Sequence, residues 1–385
     1  MLDFDFEPLV LPQWAPALRE EVRAFLAHER AAGTWAPGVG GWARYNARFS
    51  EALGRRGWLG MTWPREYGGH ERSALERHVV TEELLVAGAP SRAHWTADRQ
   101  VGPLVLAFGS EQQKRHFLPR MAAGRCGIAL GLSEPNAGSD LANISTAAVE
   151  VEGGWRVNGR KLWSSHAHVS DYLSTLLRTA PKSEGRHGGV SRLLIDLKAP
   201  GVTIRPVVDM MHEHSLNEVT FDDVFVPHLN VVGEPGGAWR QLVDSELTLE
   251  RATPDRWTAL YGLFRVLVDE VDDGSDAVAQ EAAGRMVAQL WTLQQMSLSV
   301  AGSLAQGRNP SVESSLVKDL ATNFEQELPR FAEDIVTPER LAMESPDSEL
   351  AQWMRYGRLL APALTIKGGT REILRNNIAR GLGLR

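Results

Sequence analysis

The chain has 385 residues, which at roughly 100–200 residues per domain predicts two or three domains. It is 43% hydrophobic and 23% charged, values ordinary for a globular protein, and they argue against disorder along the whole chain. The formal net charge is -7 and no cluster of Lys and Arg stands out, so we expect no nucleic-acid-binding surface.

Cysteine usage and the N-terminal sequence point to a reducing compartment. Cys126 is the single cysteine, so it cannot form an internal disulfide, and no Cys/His set has the spacing of structural zinc. Residues 1–7 are acidic and lack the basic and then apolar order of a signal peptide. No apolar run reaches the ~18–20 residues needed to cross a bilayer. We therefore expect a cytoplasmic protein that binds neither metal nor membrane.

The first predicted segment, residues 1–122, has helical periodicity. The same periodicity predicts helices over 44–57 and 73–88, each ending in the region of a glycine. Near the N-terminus, apolar residues recur at i, i+4, i+7 and i+8, the spacing of one helix face: Leu18, Val22, Phe25 and Leu26.

The second segment, residues 123–233, is predicted to be a β domain. Trp155 and Val157 alternate with polar neighbours, and Asn158-Gly159 is a strong signal for a two-residue hairpin turn. Turns at short intervals favour a sandwich or a barrel. Further strands are predicted over 174–178, 191–197, 202–207 and 219–226.

The third segment, residues 234–385, returns to helical periodicity. The order helical, β, helical predicts the α+β class with three domains at these boundaries. Helices are predicted over 260–271, 276–305, 311–335, 347–361 and 371–381.

Several common site signatures are absent from the sequence. There is no G-x-G-x-x-G after a strand and no P-loop, so neither nucleotide-binding fingerprint is present. No G-x-S-x-G elbow indicates a serine hydrolase. His212-Glu-His214 lacks the i, i+4 spacing of a zincin and has no third ligand nearby in sequence, so we do not assign a metal site to it.

One loop favours ligand binding on general physical grounds. Ser133-Glu-Pro-Asn-Ala-Gly-Ser-Asp140 follows a predicted strand, and its small residues would let backbone N–H groups approach an anionic group closely. The alternative is a simple strand followed by a turn.

This loop resembles the flavin-binding signature of the acyl-CoA dehydrogenase family. Asn158-Gly-Arg-Lys-Leu-Trp-Ser-Ser165 is similar to the family's strand with a flavin-stacking Trp. The resemblance runs from about residue 15 to the C-terminus, and it implies an N-terminal helical domain, a middle β-barrel-like domain and a C-terminal four-helix domain. Four further segments resemble family motifs in the family's order: 58–69, 108–119, 217–227 and 368–380.

The chemistry implied by the resemblance is FAD-dependent α,β-dehydrogenation of an acyl-CoA thioester. A carboxylate removes the α-proton and the β-carbon gives a hydride to flavin N5, while hydrogen bonds stabilise the developing enolate. Ser139 and Arg251 would contact the substrate. For Trp163 the alternative is a core aromatic residue, since the chain has 12 Trp. By resemblance the FAD-binding residues are Leu132, Ser133, Gly138, Ser139, Trp163, Ser165, Thr370 and Glu372.

The catalytic base implied by the resemblance is Glu250. Many family members carry the base before the Gly-Thr of the tail, where this chain has Gly368. Others, including the isovaleryl and long-chain types, carry it before an Arg, as in Leu247-Thr-Leu-Glu-Arg251 here. Pro254 would also leave the Glu250 carbonyl without its helical partner, a distortion that suits a site. The alternative is an ordinary solvated Glu-Arg pair.

The chain departs from the family where many members contact the FAD of a neighbouring subunit. Residues 268–278 are acidic and lack the family's Arg, and the later Gln-rich element is missing. We therefore expect either a homo-oligomer (dimer or tetramer) or an α2β2 assembly with a related subunit. The resemblance further implies an electron-transfer flavoprotein as the electron acceptor, and a role in fatty acid or sterol side-chain degradation. Two alternatives stay open: a same-fold flavin oxidase or monooxygenase, and a non-catalytic subunit.

Overall fold

A computed structural model describes residues 4–181, 187–242, 254, 257–271, 276–366 and 368–384. Every statement about the structure below concerns these residues.

The N-terminal part of the chain is helical. Ser73 and Ser110 each begin a helix with a capping box, in which the serine hydroxyl accepts from the backbone N–H three residues on and that residue's side chain accepts in return. A π-helical turn, Ala97–Val101, joins the fourth and fifth helices. The helices are α1 (Ala15–Ala31), α2 (Ala47–Arg55), α3 (Ala74–Val86), α4 (Arg92–Thr96), α5 (Gly102–Phe108) and α6 (Glu111–Ala122).

The middle of the chain forms a sheet. The strands are β1 (Ile128–Gly131), β2 (Ala147–Val151), β3 (Gly154–Lys161), β4 (Tyr172–Arg178), β5 (Val190–Asp196), β6 (Val202–Val207) and β7 (Leu216–Pro227).

The sheet is mostly antiparallel. β4 pairs antiparallel with β5 and parallel with β1, and the last residue of β4, Arg178, meets Ala147 at the start of β2. From β2 the order continues through β3 and β7 to β6, all antiparallel. The ends of β1 and β3, which lead into the two segments that resemble flavin-binding motifs, therefore belong to the same sheet.

The hairpin predicted at Asn158-Gly159 is wrong. Both residues lie inside β3, and β2 and β3 are instead joined by the turn that contains Gly153. Gly159 has φ +140° and the register of β3 against β7 shifts beside it. A Cβ at Gly159 would lie 2.6 Å from the Thr146 hydroxyl, so the glycine permits a bulge and the close approach of the residue that precedes β2.

The C-terminal part of the chain is helical again. Asp276, Ser348 and Thr370 precede helices as N-caps, each accepting a hydrogen bond from a backbone N–H in the first turn. The helices are α7 (Ala238–Gln241), α8 (Tyr261–Asp269), α9 (Ala277–Ala305), α10 (Ser311–Ile335), α11 (Pro338–Ala342), α12 (Glu349–Leu364) and α13 (Arg371–Gly381).

The described residues divide into two compact units, and the division does not follow the chain order. One unit, which we call the sheet unit, contains Ala43–Arg72 and the described residues of Pro90–Leu249. The other, the helical unit, contains the described residues of Met1–Trp42, Ser73–Ala89 and Glu250–Arg385. The predicted boundaries at 122 and 233 stay a prediction.

The core of the sheet unit includes two large clusters of buried side chains. In one, helical side chains such as Phe117 and Met121 pack with Ile128 and Leu194 of the sheet. In the other, side chains of the strands pack together, among them Val157 and Phe221. In the helical unit, Val300 and Val317 pack together with Phe6.

The predicted α+β class and the order helical, β, helical are confirmed. The helices predicted over 311–335 and 371–381 and the strand over 202–207 have the predicted bounds, and most of the others differ by one to three residues at an end. The π-helical turn at Ala97–Val101 was not predicted, because nothing in the residue pattern distinguishes it from a continuous helix.

Candidate functional site

The loop after β1 is organised by the buried carboxylate of Glu134. Its Oε2 accepts from the backbone N–H and the hydroxyl of Ser145, at 2.7 and 2.6 Å. Its Oε1 accepts from the Thr146 N–H at 3.0 Å and from Lys161 Nζ at 2.7 Å. Four donors on two oxygens satisfy a carboxylate that burial would otherwise destabilise.

Glu134 and Lys161 form an ion pair that is shielded from solvent. Burial alone would raise the pKa of Glu134, but the Lys161 ammonium and the hydrogen bonds from Lys161 and Ser145 outweigh it and lower this pKa to about 2. Burial lowers the pKa of Lys161 to about 8, and Glu134 opposes that change. Both groups are therefore charged at pH 7, and each depends on the other for compensation.

The same lysine joins the loop to the end of β3. Lys161 Nζ donates to the Leu132 carbonyl at 3.2 Å, and the Leu162 N–H donates to the Ser133 carbonyl at 2.9 Å. Leu132 and Ser133 are half-buried. These bonds bring the first two predicted FAD residues beside the turn that follows β3.

Gly138 and Ser139, farther along the loop, are exposed. A Cβ built on Gly138 would meet no atom of the described residues within 4 Å, so this face of the loop is open. An open backbone flanked by a hydroxyl is accessible to a bound group.

The turn after β3 carries Trp163 in an unusual conformation. Its φ is +65°, in the left-handed region that costs a bulky residue on the order of 1–3 kcal/mol. Trp163 is 55% exposed, whereas five other tryptophans of the described residues are buried: Trp42, Trp58, Trp63, Trp155 and Trp257. Ser165, two residues on, is half-buried. A large aromatic ring presented to solvent from strained backbone indicates a surface built to stack on a flat ligand.

These features fit the isoalloxazine ring of FAD. The Trp163 indole offers a stacking face, and the hydroxyls of Ser133 and Ser165 offer polar contacts at the edge of such a ring. The core-aromatic alternative for Trp163 does not agree with its exposure.

Thr370 and Glu372 belong to the helical unit and are described within it. Gly368 and Gly369 have φ of +69° and +100°, and the turn they form leads into α13. The Thr370 hydroxyl accepts from the Ile373 N–H at 3.5 Å, the N-cap of α13. Glu372 is exposed, and hydrogen bonds from its own backbone N–H and from the Thr370 hydroxyl lower its pKa. Both side chains thus have a helix-capping role in addition to any contact with a cofactor.

Buried charge also connects α13 to α10. Asp319 Oδ1 accepts from Arg371 Nε at 3.2 Å and Oδ2 from Arg375 Nε at 3.3 Å. These bonds fix the first turns of α13 from outside the helix.

Glu250 and Arg251, the predicted base and its neighbour, lie outside the described residues. Pro254 is described, and its carbonyl accepts from the Trp257 N–H at 3.2 Å and the Thr258 hydroxyl at 2.7 Å. The assignment of the base therefore stays a prediction.

The histidines near the Trp163 turn do not form a metal site. Among the described residues, no group of three or more His, Cys, Asp and Glu is arranged to bind a metal ion. His214, part of the motif considered above, contacts Asn217 at 2.8 Å.

Sequence reasoning missed Asn217 and the ion-pair partner of Glu134. Glu134 and Lys161 stand in the two motifs quoted for the family resemblance, but their pairing across 27 residues has no local signal. Asn217 was noted only as the first residue of a strand motif.

Within the described residues no helix has both the length and the apolar character that a bilayer span requires.

Three family models together match most of the chain. The model described as acyl-CoA dehydrogenase, N-terminal domain, matches residues 15–125, the middle-domain model matches 129–224, and the C-terminal-domain model matches 271–383.

Three known proteins match this chain over nearly their full length. Acyl-CoA dehydrogenase IpdE1 of Mycobacterium tuberculosis is 37% identical, over 95% of this chain and 97% of its own length. The solved structure of the Tcur3481-Tcur3483 steroid ACAD matches with a TM-score of 0.85 and 27% identity, over 98% of this chain and all of that one. The crystal structure of the ChsE4-ChsE5 complex from Mycobacterium tuberculosis matches with a TM-score of 0.83 and 30% identity, over 98% of this chain and all of that one.

Proposed function

The chain belongs to the acyl-CoA dehydrogenase family and is an oxidoreductase acting on acyl-CoA, and from this premise we propose that it carries out FAD-dependent α,β-dehydrogenation of an acyl-CoA thioester. The observation that carries the proposal is the exposed Trp163 indole in strained backbone, beside a loop whose Glu134 is fully satisfied. Members of this family are flavoproteins, and the residues around Trp163 offer what a flavin ring needs.

In the proposed reaction Glu250 removes the α-proton of the thioester. The electron pair left on the α-carbon forms the double bond as the β-carbon loses its hydride, so two electrons and two hydrogens leave the substrate. Bound FAD supplies the hydride acceptor. Trp163 would hold the flavin ring by stacking, and Leu132, Ser133, Gly138, Ser139 and Ser165 would contact the cofactor.

Thr370 and Glu372 are proposed to contact FAD from α13, and Ser139 and Arg251 to contact the acyl-CoA. The thioester oxygen gains negative charge as the α-proton leaves, so hydrogen-bond donors directed at it would lower the barrier. A base that works at neutral pH must also be shielded from water, because desolvation raises a carboxyl pKa toward the operating pH.

The decisive experiment is anaerobic bleaching of the flavin by a panel of acyl-CoAs. Bound flavin in the purified protein and loss of its visible absorbance on adding one acyl-CoA are expected. If none of the acyl-CoAs bleaches the flavin, either of the protein alone or of its complex with a partner subunit, the proposal is contradicted. Peroxide formed stoichiometrically with product in air, without an added acceptor, would instead favour the oxidase alternative.

Substitution of the base tests the assignment of Glu250. Glu250→Gln is expected to retain FAD but to slow substrate-driven flavin reduction by at least ~10³-fold, the scale of losing a general base. Glu246→Gln, four residues earlier in the same segment, is the matched control and should stay near the wild-type rate. A wild-type rate in Glu250→Gln would end the assignment.

We further propose that a related second subunit completes the FAD site. Residues 268–278 are acidic and lack the Arg that many family members use toward a neighbouring subunit's FAD. The matched ChsE4-ChsE5 structure is a complex of two different chains. Because the chain is similar to a steroid ACAD, the panel should include a bulky acyl-CoA, such as one with a sterol side chain. Stoichiometric FAD in the pure homo-oligomer would argue against a required partner.

The electron acceptor proposed for the reaction is an electron-transfer flavoprotein, and the proposed location is the cytoplasm. The acceptor is tested by coupling: acyl-CoA should reduce a purified electron-transfer flavoprotein only when this enzyme is present.

A further inference from the structure

Asn217, the second residue of β7, is fully buried and binds the residue that follows Trp163 from both sides. The Ser164 N–H donates to the Asn217 carbonyl at 3.0 Å, and Asn217 Nδ2 donates to the Ser164 carbonyl at 2.9 Å. Both peptide groups of Ser164 are therefore fixed by one residue 53 positions away.

The orientation of the Asn217 amide follows from this contact. A carbonyl oxygen only accepts hydrogen bonds, so the amide nitrogen, not the oxygen, must face Ser164. The amide oxygen then faces His214 Nε2 at 2.8 Å, and His214 must donate to it through an Nε2 proton.

The second proton of the amide determines the state of His168. Asn217 Nδ2 lies 3.2 Å from His168 Nδ1. Because the amide nitrogen can only donate, His168 Nδ1 must accept, and the neutral ring carries its proton on Nε2. Both donors of the Asn217 amide are thereby used, and its oxygen accepts from His214.

The two imidazoles complete the contact between the Trp163 turn and the segment before β7. The rings of His168 and His214 stack at 3.9 Å between centroids, with 22° between their planes. The His166 N–H donates to the Ser215 carbonyl at 2.8 Å. His166, like Trp163, has a positive φ, of +58°. Of the two residues with positive φ, Trp163 directly precedes the residue that Asn217 binds, and His166 is itself bound by Ser215.

We propose that Asn217, acting through Ser164 and supported by neutral His168 and by His214, is the positioning residue that keeps Trp163 in its strained, exposed conformation so that it can stack on the flavin. The inference rests on the proposed function for the identity of the stacked ring. The strain at Trp163 persists only while the surrounding bonds over-determine it, and Asn217 supplies two of those bonds directly.

The arrangement requires His168 to be neutral. Protonation would place an Nδ1–H opposite an Asn217 N–H and a positive charge against the stacked His214 ring. The titratable groups facing His168 are His214 and His166, whose ring centroid is 6.2 Å away. β1 carries no titratable side chain, and Glu218 of β7 pairs with Arg160 at 3.3 Å. Positioning of Trp163 should therefore weaken as the pH falls.

The direction of the pKa shift of His168 determines whether Trp163 positioning is lost at low or at high pH. Burial, and to a smaller extent the charge of His214, lowers the pKa of His168 below its ordinary 6.5, and these two effects outweigh the hydrogen bond with Asn217, which raises it. The neutral state is thus retained in the folded protein above that range, and Trp163 positioning is lost on acidification through the lowered pKa.

The test compares two buried asparagines in the full chain. Asn217→Asp removes both donor bonds of the amide, and we expect it to raise the dissociation constant for FAD at pH 7.5 by at least about tenfold. Asn230→Asp is the matched control, since Asn230 Nδ2 likewise donates to a buried backbone carbonyl, that of Leu194, at 2.7 Å. It should lower the unfolding temperature comparably and change FAD affinity by less than about twofold. Equal losses of FAD affinity in the two variants would overturn the proposal.

A second variant tests the role of the imidazole. His168→Gln keeps an acceptor for Asn217 but cannot be protonated. The wild-type dissociation constant for FAD should rise as the pH is lowered from 7.5 through the range below 6.5, and this rise should be absent in His168→Gln. The same rise in both proteins would contradict a role for neutral His168.

Hydrogen exchange separates this inference from the proposed function. Asn217→Asp should speed exchange of the Ser164 and His166 amides in the cofactor-free chain, and Asn230→Asp should not. A chain that binds no FAD, alone or with its partner, would refute the proposed function, and the exchange rates would then decide alone whether Asn217 positions the turn. Unchanged exchange at Ser164 would refute the positioning role whatever the FAD result.

Discussion

The two regions that carry the predicted cofactor residues are held in different ways. Around the loop after β1 and the Trp163 turn, buried polar groups bind partners far away in sequence: Glu134 binds Lys161, and Asn217 binds Ser164. At the start of α13, Thr370 binds an N–H three residues on, and Glu372 is exposed. The residues of the first region are fixed by partners that only the folded sheet unit supplies. Thr370, by contrast, caps its own helix locally, and Asp319 of α10 holds that helix by binding Arg371 and Arg375.

This difference predicts a large cost for breaking the ion pair in the sheet unit. Lys161→Met leaves the Glu134 carboxylate buried without its cation, and we expect the free energy of unfolding to fall by about 3–5 kcal/mol. Urea unfolding at pH 7 measures the change. The cause is the uncompensated buried charge, so the double variant with Glu134→Gln should recover part of the loss.

The neighbouring Arg160 provides the control for Lys161. Arg160 pairs with Glu218 at 3.3 Å and its side chain is 51% exposed, so Arg160→Met should cost at most about 1 kcal/mol. Similar losses for the two substitutions would mean that burial of the Glu134 pair is not what stabilises this loop.

Acidification is expected to destabilise the sheet unit, which contains the first region, by less than the loss of the ion pair does. In α4 of the sheet unit, burial lowers the pKa of His94 to about 3, and its Nδ1 lies 2.6 Å from the Ser50 hydroxyl. The unfolded chain binds this proton near pH 6.5 and the folded chain does not, so the stabilising contribution is full above pH 6.5 and is lost as the pH falls below it. Between pH 7 and pH 5 the sheet unit should lose about 2 kcal/mol from this group alone.

Hydrogen exchange at the two pH values, corrected for intrinsic rates, measures this loss region by region. Between pH 7 and pH 5, peptides from α4 should lose protection against exchange in the wild type. In His94→Gln the loss of protection free energy should be about 2 kcal/mol smaller. Residues 349–385 contain no histidine, so α13 has no such group of its own. An identical pH response of the α4 peptides in both proteins would show that His94 is not the proton-binding group.

The same contrast explains what the sequence could and could not predict. The α10 helix and β6 were predicted at their observed bounds because periodicity and turn residues are local signals. The hairpin predicted at Asn158-Gly159 was wrong because this glycine permits the close approach of Thr146, the residue before β2, rather than a turn. Motif resemblance indicated the predicted residues of both regions, but the partners that fix them in the sheet unit had no signal in the local sequence.

The predicted site residues differ in the same respect. Trp163 could be proposed from its motif, but its positive φ and the exposure of its indole depend on Asn217 and Ser215, which come into contact only through the pairing of β3 with β7. Thr370 was proposed as a cofactor residue from the family resemblance, and the cap that it forms is a contact within its own helix start. The conformation of Trp163 therefore depends on tertiary contacts, which the local sequence does not predict.

The smallest expected effect concerns the cap of α13. Thr370→Ala removes the acceptor for the Ile373 N–H and should cost about 1 kcal/mol of protection in the first turn of α13, measured by hydrogen exchange. Thr337→Ala is the matched control, because Thr337 caps α11 in the same way through the Arg340 N–H at 3.1 Å. It should destabilise its own helix start by a similar amount and leave FAD affinity unchanged.

Thr370→Asn then separates the capping role from the proposed cofactor contact. Asn is as good an N-cap as Ser or Thr, so this variant should recover the protection of α13 that Thr370→Ala loses. If the hydroxyl also contacts FAD, affinity for FAD should stay weakened in Thr370→Asn, and Thr370→Ser should restore both properties. Full recovery of FAD affinity in Thr370→Asn would mean that Thr370 acts only through the helix, and that the cofactor residues in the sheet unit are the ones that bind directly.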